Sequence, residues 1–535
     1  MPNTDLVGRK SIKIRILRKL NKKREGSMEI QEEIKTENRK AGILLPVFSL
    51  PSNEGIGTLG KSAYQFVDWL KKAGMKIWQV LPLLPTSYGD SPYQSFASDA
   101  LNFYFIDFDL LSADGLLQKT DYKKLDWGDP RHVDYGKLFE WKTKVLRIAF
   151  SRFNKDTGAW KDFLKEEKYR DFAVFMSLKG KFAYACWADW AEPFKNADKE
   201  TIENFAKANE SEIEFWQFTQ YLFLKQWQNL KSYANEQGIS IMGDMPIYVA
   251  YDSVETWKHG KELFLYESDG KTTLRAGVPP DAFSDDGQLW GNPVYDWEKM
   301  ESDGYAWWKR RIEYAFTLFD IVRIDHFRGF DRFYTVAEGS DTAKEGEWRQ
   351  GPGAKLFESF KDRAIVAEDL GIIDDGVREM MRQTGYPGMK VLSFGFDGNP
   401  DNEHKASNHK TNVYAYTGTH DNAPIRQMIE ELGEENFKNF RLEMEKENER
   451  LEITFKSKEK EEVKALCENL IEQLFASPAS VALVPMQDVL FLGEESRLNR
   501  PSSLSSSNWS YRFVKGDFTA KTAKNLSLLV KKYNR

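Results

Sequence analysis

Cysteine is almost absent from this sequence, and its scarcity excludes several classes of protein. The 535 residues contain two, Cys186 and Cys467, which lie far apart and form no CxxC or Cys/His pairing. This spacing excludes a disulfide-stapled secreted module and a zinc finger. HExxH and EF-hand motifs are also missing, so we expect neither a metal nor another cofactor. One chance disulfide is compatible with the count, but a reducing, cytoplasmic location is the simpler interpretation.

The sequence also lacks a long apolar run and an excess of basic charge. No run approaches the length of a membrane span. The 76 Lys and Arg against 82 Asp and Glu give a formal net charge of −6, which offers no general attraction to nucleic acid or to anionic lipid. We therefore expect neither a nucleic acid nor a membrane as a partner. The sequence does not indicate an oligomeric state.

The N-terminal segment differs in composition from the rest of the chain. Residues 1–27 hold nine Lys and Arg against two acidic residues, without the apolar core of a secretory signal. A transit peptide is an alternative interpretation, but the segment has few serines. We predict that residues 1–38 are a basic, disordered extension, with Met28 as the natural beginning of the protein.

Eight short apolar runs follow one another with helical segments between them. The helix-periodic stretch 62–73 lies between the first two runs and stops at Gly74, which predicts a βαβ unit. Eight such units predict a (β/α)8 TIM barrel, whose functional groups project from the C-terminal ends of the strands. The predicted strands are Gly42–Leu50, Ile77–Leu84, Ile239–Asp244, Ile321–Asp325, Ala364–Glu368, Lys390–Phe394, Val413–Thr417 and Val481–Pro485.

Two connections are too long for simple βα loops. Residues 86–238 and 245–318 predict long, largely helical subdomains inserted after the second and third strands. We expect residues 39–535 to form a single catalytic domain that carries both insertions. The charge-dense, helix-periodic stretch 426–475 is interpreted as a solvated helical pair without a chemical role.

The motif RIDHFRG places a base and an acid at the end of one predicted strand. Arg323 and Asp325 are two residues apart, so they point to the same side of the strand. The guanidinium would stabilise the negative charge that a carboxylate nucleophile requires. A purely structural Arg–Asp pair explains this motif alone equally well.

Two further motifs place acids after later strands. In AEDLG, Glu368 closes an apolar strand, where desolvation would raise its pKa and suit a general acid. Periodicity does not decide whether Glu368 or Asp369 faces inward, and a loop salt bridge is the commoner role for a lone Glu. In GTHDN, His420 and Asp421 would bind sugar hydroxyls, stabilise positive charge or simply hold their own loop together.

The three acids together point to one chemistry more clearly than each does alone. Glycoside chemistry needs two carboxyl groups flanking the bond, roughly 5–5.5 Å apart in retaining enzymes. A third acid would stabilise the positive charge of the transition state. We therefore interpret the common strand ends of Asp325, Glu368 and Asp421 as a candidate site for this chemistry.

The order RIDHFRG, AEDLG, GTHDN resembles the α-amylase clan and, within it, the amylomaltases or disproportionating enzymes of glycoside hydrolase family 77. The resemblance covers about residues 39–513, and its stretch PPDAFSDDGQLWGNP is specific to this family rather than to amylases. Further matching stretches are Gly42–Ser52, Trp78–Asn102, Gly243–Trp257, Gly277–Tyr295, Gly346–Gly353 and Pro485–Pro501. The family's MNxPG reads here as Leu498–Ser502, a departure that we expect to affect peripheral contacts only.

The resemblance implies a 4-α-glucanotransferase that moves segments between α-1,4-glucans, including maltooligosaccharides, through a covalent glycosyl–aspartate. By motif it implies that Asp325 is the nucleophile, Glu368 the general acid/base and Asp421 the transition-state stabiliser. It also implies a lid over the acceptor side, which includes Asp286, and no calcium site. The residues that it implies for substrate binding are Tyr93, Asp281, Trp290, Arg323, His326 and His420.

Two other functions would use the same fold. A hydrolase, such as an α-amylase or a debranching enzyme, would employ the same carboxylates, but the 277–295 motif argues against it. A regulatory barrel that binds glucan without turning it over would have no chemical need for all three acids. Nucleic-acid binding by the basic N-terminus is a distant third, because such a tail gives nonspecific contact at most.

Overall fold

The computed structural model describes residues 39–265, 273–280, 284–455 and 462–535. The predicted basic extension 1–38 therefore lies outside the described residues. The described strands, numbered in chain order, are β1 Lys40–Leu44, β2 Ile77–Gln79, β3 Ser240–Met245, β4 Leu274–Val278, β5 Gln288–Pro293, β6 Ile321–Ile324, β7 Arg332–Ala337, β8 Gly346–Gln350, β9 Ile365–Ala367, β10 Gly388–Val391, β11 Val413–Tyr416 and β12 Val481–Pro485.

Eight of these strands form one parallel sheet in the order β10-β11-β12-β1-β2-β3-β6-β9. The two ends of the sheet meet, because the Ala367 N–H in β9 donates to the Pro387 carbonyl just before β10 over 2.9 Å. Around the ring the strands follow their order in the chain, which is the topology of a (β/α)8 barrel. The prediction of this fold, with long insertions, is confirmed.

The barrel strands are short and buried on both faces, as parallel strands covered by helices must be. In β12, which has the predicted bounds, all five residues are buried. The first two strands end earlier than predicted, at Leu44 and Gln79. Their apolar runs continue as buried loops, because Pro46 and Pro82 cannot donate a hydrogen bond to a ladder.

A second, antiparallel sheet of four strands, in the order β5-β4-β7-β8, was not predicted. Strands β4 and β5 belong to the insertion 245–318, whereas β7 and β8 follow barrel strand β6. Four of the five residues of β8 are exposed and the other is half-buried. A strand without a buried face shows no apolar alternation in its sequence, and this explains why pattern analysis missed it.

Helices fill most of the connections, and helices dominate the first insertion, 86–238. No described helix combines the length with the apolar character that crossing a bilayer requires. The described α-helices are Lys61–Ala73, Phe108–Ala113, Tyr135–Ser151, Gly158–Phe163, Glu167–Lys181, Glu192–Lys195, Lys199–Ala208, Glu210–Glu236, Val254–Leu263, Trp297–Ser302, Ala306–Leu318, Asp375–Thr384, Ile425–Glu430, Glu434–Arg450, Glu462–Ala476, Met486–Val489 and Ala520–Lys532.

A buried ion pair joins the first insertion to the loop after β1. Lys142 Nζ lies 2.8 Å from Glu54 Oε2, and the two side chains are 0% and 8% exposed. The Lys142 ammonium also lies over the Phe108 ring, 4.1 Å from its centroid. Burial raises the pKa of Glu54 to about 7, against the opposing charge of Lys142. The carboxylate form of Glu54 thus depends on its lysine partner.

Replacing Lys142 with methionine is expected to lower the free energy of unfolding by about 3 kcal/mol, because a buried carboxyl group loses its partner. The loss should be larger at about pH 8 than at about pH 5. Above about pH 7 the parent ionises Glu54 beside Lys142, whereas the folded variant must keep it protonated while its unfolded chain ionises it. Urea unfolding at both pH values measures the change. The double variant Glu54→Gln/Lys142→Met should recover most of the loss; an undiminished loss would contradict this explanation.

Candidate active site

A cleft of about 1140 Å³ opens at the C-terminal ends of the barrel strands. Loops that follow several strands and the β5 edge of the second sheet line it, so residues distant in sequence meet there. Asp281 lies outside the described residues. The other predicted site residues line the cleft: Tyr93, Trp290, Arg323, Asp325, His326, Glu368, His420 and Asp421.

Arg323 on β6 is the buried centre of the site. Its Nη1 lies 2.6 Å from Asp244 Oδ1 and 3.0 Å from Asp325 Oδ1. Asp244, on neighbouring β3, has a fully buried side chain, whereas that of Asp325 keeps 27% of its surface exposed. The expectation that Arg323 and Asp325 point to the same side of the strand is confirmed. One guanidinium thus stabilises a buried carboxylate and a second carboxylate that faces the cleft.

Tyr93 connects the buried Asp244 to the wall of the cleft. Its hydroxyl donates to Asp244 Oδ2 over 2.8 Å. Its ring stacks on His420, with the centroids 5.2 Å apart and the planes 19° from parallel, and contacts Trp509 at 5.7 Å. Burial, together with the nearby Asp244 carboxylate, raises the pKa of Tyr93, so its hydroxyl stays a neutral donor. The ring is therefore fixed as an apolar wall.

Glu368 and Asp369 directly follow β9, and of these two acids Glu368 faces the cleft. Its two carboxyl oxygens accept backbone hydrogen bonds, Oε2 from the His326 N–H over 2.8 Å and Oε1 from the Leu370 N–H over 2.7 Å. Asp369 does not line the cleft, because its Oδ1 accepts from the Met389 N–H in β10. Burial raises the pKa of Glu368 to about 7, with the Asp325 charge adding to the rise and Arg323 opposing it.

His326 adopts a left-handed backbone conformation, with φ at 45°, which is uncommon for a residue other than glycine. This turn directs its N–H to Glu368. The imidazole packs edge-on against Trp290, with the ring centroids 4.8 Å apart. Burial lowers the pKa of His326 to about 4, so the ring is neutral. Its buried Nε2 has no hydrogen-bond partner among the described residues.

His420 and Asp421 follow β11 and form a close pair, with His420 Nε2 3.3 Å from Asp421 Oδ2. Although burial opposes this, the Asp421 carboxylate raises the pKa of His420. Burial would likewise raise the pKa of Asp421, but His420 and Asn499 outweigh it and lower that pKa to about 2. Asp421 is therefore ionised throughout the neutral range.

Asn499 and Trp509 contact the Asp421–His420 pair, and the sequence did not predict either residue as part of the site. The Asn499 side-chain amide donates to Asp421 Oδ1 over 2.6 Å, and the Trp509 ring lies 5.9 Å from that of His420. The departures from the family motif in this stretch are Leu498 and Ser502, and the residue that contacts the central carboxylate, Asn499, matches the motif. It lies 78 residues from Asp421, so no local pattern pointed to the contact.

The carboxyl groups of the cleft have sharply different environments. Near neutral pH the Glu368 carboxyl is able both to donate and to accept a proton, because burial places its pKa at about 7. Asp421, with a pKa of about 2, holds a constant negative charge. Environments that move the pKa values of two acids apart in this way suit one acid to acid/base work and the other to charge stabilisation. No group of three or more His, Cys, Asp or Glu in the described part of the chain is placed to hold a metal ion.

Comparison with known proteins identifies close relatives of this chain. The model of glycoside hydrolase family 77, described as 4-alpha-glucanotransferase, matches residues 45–516. A 4-alpha-glucanotransferase of Clostridium butyricum is 43% identical over 498 residues, covering 91% of this chain and 99% of the relative. One from Aquifex aeolicus is 41% identical over 491 residues, covering 90% and 97%.

A solved structure is also similar over nearly its whole length. The amylomaltase from Streptococcus agalactiae, in complex with acarbose, superimposes with a TM-score of 0.86 at 38% identity. The match covers 93% of this chain and 99% of that one. The similarity therefore includes the barrel and the insertions around the cleft.

Proposed function

The chain belongs to glycoside hydrolase family 77, the 4-alpha-glucanotransferases, and we propose that it transfers α-1,4-glucan segments by a retaining double displacement through Asp325. Its substrates are maltooligosaccharides and longer α-1,4-glucans. The observation that carries the mechanism is the pairing of two unlike acids at one cleft. Asp325 is partly exposed and lies 3.0 Å from a guanidinium, while Glu368 is buried with its pKa raised to about 7.

In the first displacement an Asp325 oxygen attacks the anomeric carbon of the donor glucan. The bond from that carbon to the glycosidic oxygen breaks, and Glu368 gives its proton to the departing oxygen. In the second displacement the 4-hydroxyl of an acceptor glucan attacks the same carbon. Glu368 takes the hydroxyl proton, the bond to Asp325 breaks, and the configuration at the anomeric carbon is retained.

The remaining cleft residues would bind and orient the sugar at the cleavage point. Asp421, ionised with a pKa of about 2, would stabilise the positive charge that develops on the sugar ring. His326 offers a neutral imidazole with an unpartnered Nε2, which suits a hydrogen bond to a sugar hydroxyl. We assign sugar contacts also to Tyr93, Asp281, Trp290, Arg323 and His420.

Transfer requires an acceptor sugar to reach the glycosyl–enzyme before water does. The strand that carries Trp290 forms one edge of the cleft, and we propose that this region binds the acceptor and helps to exclude water.

The two cysteines, Cys186 and Cys467, are both unpaired, which supports the proposed cytoplasmic location.

Incubation of the purified full-length chain with maltotriose alone tests the activity. We expect glucose together with maltopentaose and longer chains, while the concentration of reducing ends stays nearly constant. Chromatography of the products and a reducing-end assay measure both quantities. Glucose and maltose with rising reducing ends would instead show a hydrolase, and no turnover would leave a glucan-binding barrel. Either outcome would contradict the proposed transferase.

A further inference from the structure

Part of the cleft wall carries exposed apolar side chains to which the proposed mechanism assigns no role. Leu289 is 42% exposed, Trp348 is 36% exposed and Ile372 is 51% exposed, and all three line the cleft. Large apolar side chains exposed together in a concave surface mark a ligand-binding area more often than scattered ones do. Trp348 offers the largest flat surface of the three.

The second sheet determines where Trp348 points. Its register pairs Leu289 with Gly277, Gly277 with Tyr334 and Tyr334 with Trp348. Directly paired residues of antiparallel strands project to the same face, so Leu289 and Trp348 occupy the two ends of one row across the sheet.

Buried contacts hold the Trp348 ring in place. The Arg328 guanidinium lies over it, 4.0 Å from the ring centroid, and the Tyr334 ring packs against it at 5.1 Å and 61°. Arg328 is 5% exposed and donates to the Ile372 carbonyl over 2.7 Å. It is also three residues after Asp325 in the chain. An aromatic ring fixed in this way loses little side-chain entropy when a ligand covers it.

The position of this wall relative to Glu368 indicates which part of a glucan would reach it. The proposed acid donates its proton to the oxygen of the leaving glucan, so the leaving side lies next to Glu368. The chain continues from Glu368 through Leu370 to Ile372 along the cleft, and Ile372 is tied through Arg328 to Trp348. An incoming acceptor occupies the side that the leaving glucan has vacated.

We propose that Trp348 is a stacking platform for acceptor glucans, beyond the sugar that contacts Glu368, and that it sets the preference for acceptor length. This inference rests on the proposed transferase function. The occupant is an α-1,4-glucan because the platform is continuous with the cleft in which glucan is cleaved. Glucose would occupy only the position beside Glu368, whereas a longer chain would extend from there to the platform.

The test separates acceptor binding from donor binding. The donor is α-maltotriosyl fluoride with its terminal 4-hydroxyl methylated, which donates but cannot accept. Acceptors run from glucose to maltotetraose, and product formation gives KM and kcat for each. Covering part of an indole removes enough apolar surface to change affinity about tenfold. Trp348→Ala should therefore raise KM for maltotetraose about 5- to 10-fold and leave both constants for glucose unchanged.

Two control variants accompany Trp348→Ala. Trp348→Phe keeps a flat ring and should restore most of the maltotetraose KM. Phe139→Ala removes an aromatic side chain that is 51% exposed but does not line the cleft, and it should change neither acceptor. If Trp348→Ala weakened glucose and maltotetraose equally, or left KM unchanged for both, the platform would be overturned. Transfer by the parent chain would still support the proposed transferase function in that case. A parent chain without transfer would overturn the proposed function itself.

Discussion

Replacing Asp325 with asparagine is expected to reduce glucan transfer by about 10⁴-fold or more, because an amide cannot form the glycosyl ester. The neighbouring carboxylate of Asp244 is no substitute in this role. Asp244, the other carboxylate on Arg323, is fully buried and already accepts from Arg323 and from Tyr93. Maltotriose disproportionation by the variant, with an intact melting transition as evidence of folding, measures the loss.

Asp320→Asn is the matched control for this substitution. Asp320 precedes the same strand at its opposite end, where its Oδ2 accepts from the Ile241 N–H over 2.8 Å. Residues at the N-terminal face of a barrel act on stability rather than on chemistry. This variant should keep nearly the whole of the activity. A nearly active Asp325→Asn variant would contradict the covalent mechanism through Asp325.

Glu368→Gln is expected to lower kcat/KM for maltotriose by about 10²- to 10⁴-fold, the range for loss of a general acid. The parent chain should lose kcat/KM as the pH rises through about 7. The direction follows because burial raises the pKa of Glu368 to that value and the first displacement needs the protonated form. The variant should show no such limb. A pH series of kcat/KM for both proteins measures the effect.

An activated donor tests whether the loss concerns proton donation. Fluoride leaves without protonation, so the first release of fluoride from α-maltotriosyl fluoride, measured as a burst, should be much less impaired in Glu368→Gln than cleavage of maltotriose is. Asp369→Asn is the matched control, because its side chain accepts a backbone hydrogen bond from β10 outside the cleft. It should retain both activities and the pH limb. Equal loss with both donors would contradict the role of Glu368 as a general acid.

The substitutions at Asp325 and Glu368 together separate nucleophilic attack from proton donation. Asp325→Asn should abolish turnover of maltotriose and of the fluoride alike, because both need the nucleophile. Glu368→Gln should spare only the first release of fluoride. A protein that hydrolysed or merely bound glucan would give another pattern: the hydrolase would show the same two losses but no transfer products, and the binding protein no turnover at all.

The apolar pattern of the sequence predicted the barrel, because strands buried on both faces need continuous apolar runs and the helices between them need a 3.6-residue period. The motif around Arg323 also predicted the same-side placement of Arg323 and Asp325, a consequence of the two-residue repeat of a strand. Strand β8 of the four-stranded sheet left no such pattern, since it buries no face.

The family resemblance implied Glu368 rather than Asp369, and the tertiary structure gives the physical reason. Both follow β9, and periodicity does not decide between neighbours at a strand end. The hydrogen bond from Met389 holds Asp369 towards β10, and burial of Glu368 sets its pKa. Likewise, the sequence placed Asp421 beside His420, but the contact with Asn499 joins loops 78 residues apart.

The sequence by itself thus determined the fold class, the family resemblance and the residues that carry the proposed chemistry, because each depends on local pattern or on short motifs. The tertiary structure decided that Glu368 rather than Asp369 faces the cleft, how burial and neighbouring charges shift the pKa values of the acids, and where Trp348 lies. These properties depend on distances between segments that are remote in the chain, and a pattern along the chain holds no record of such distances.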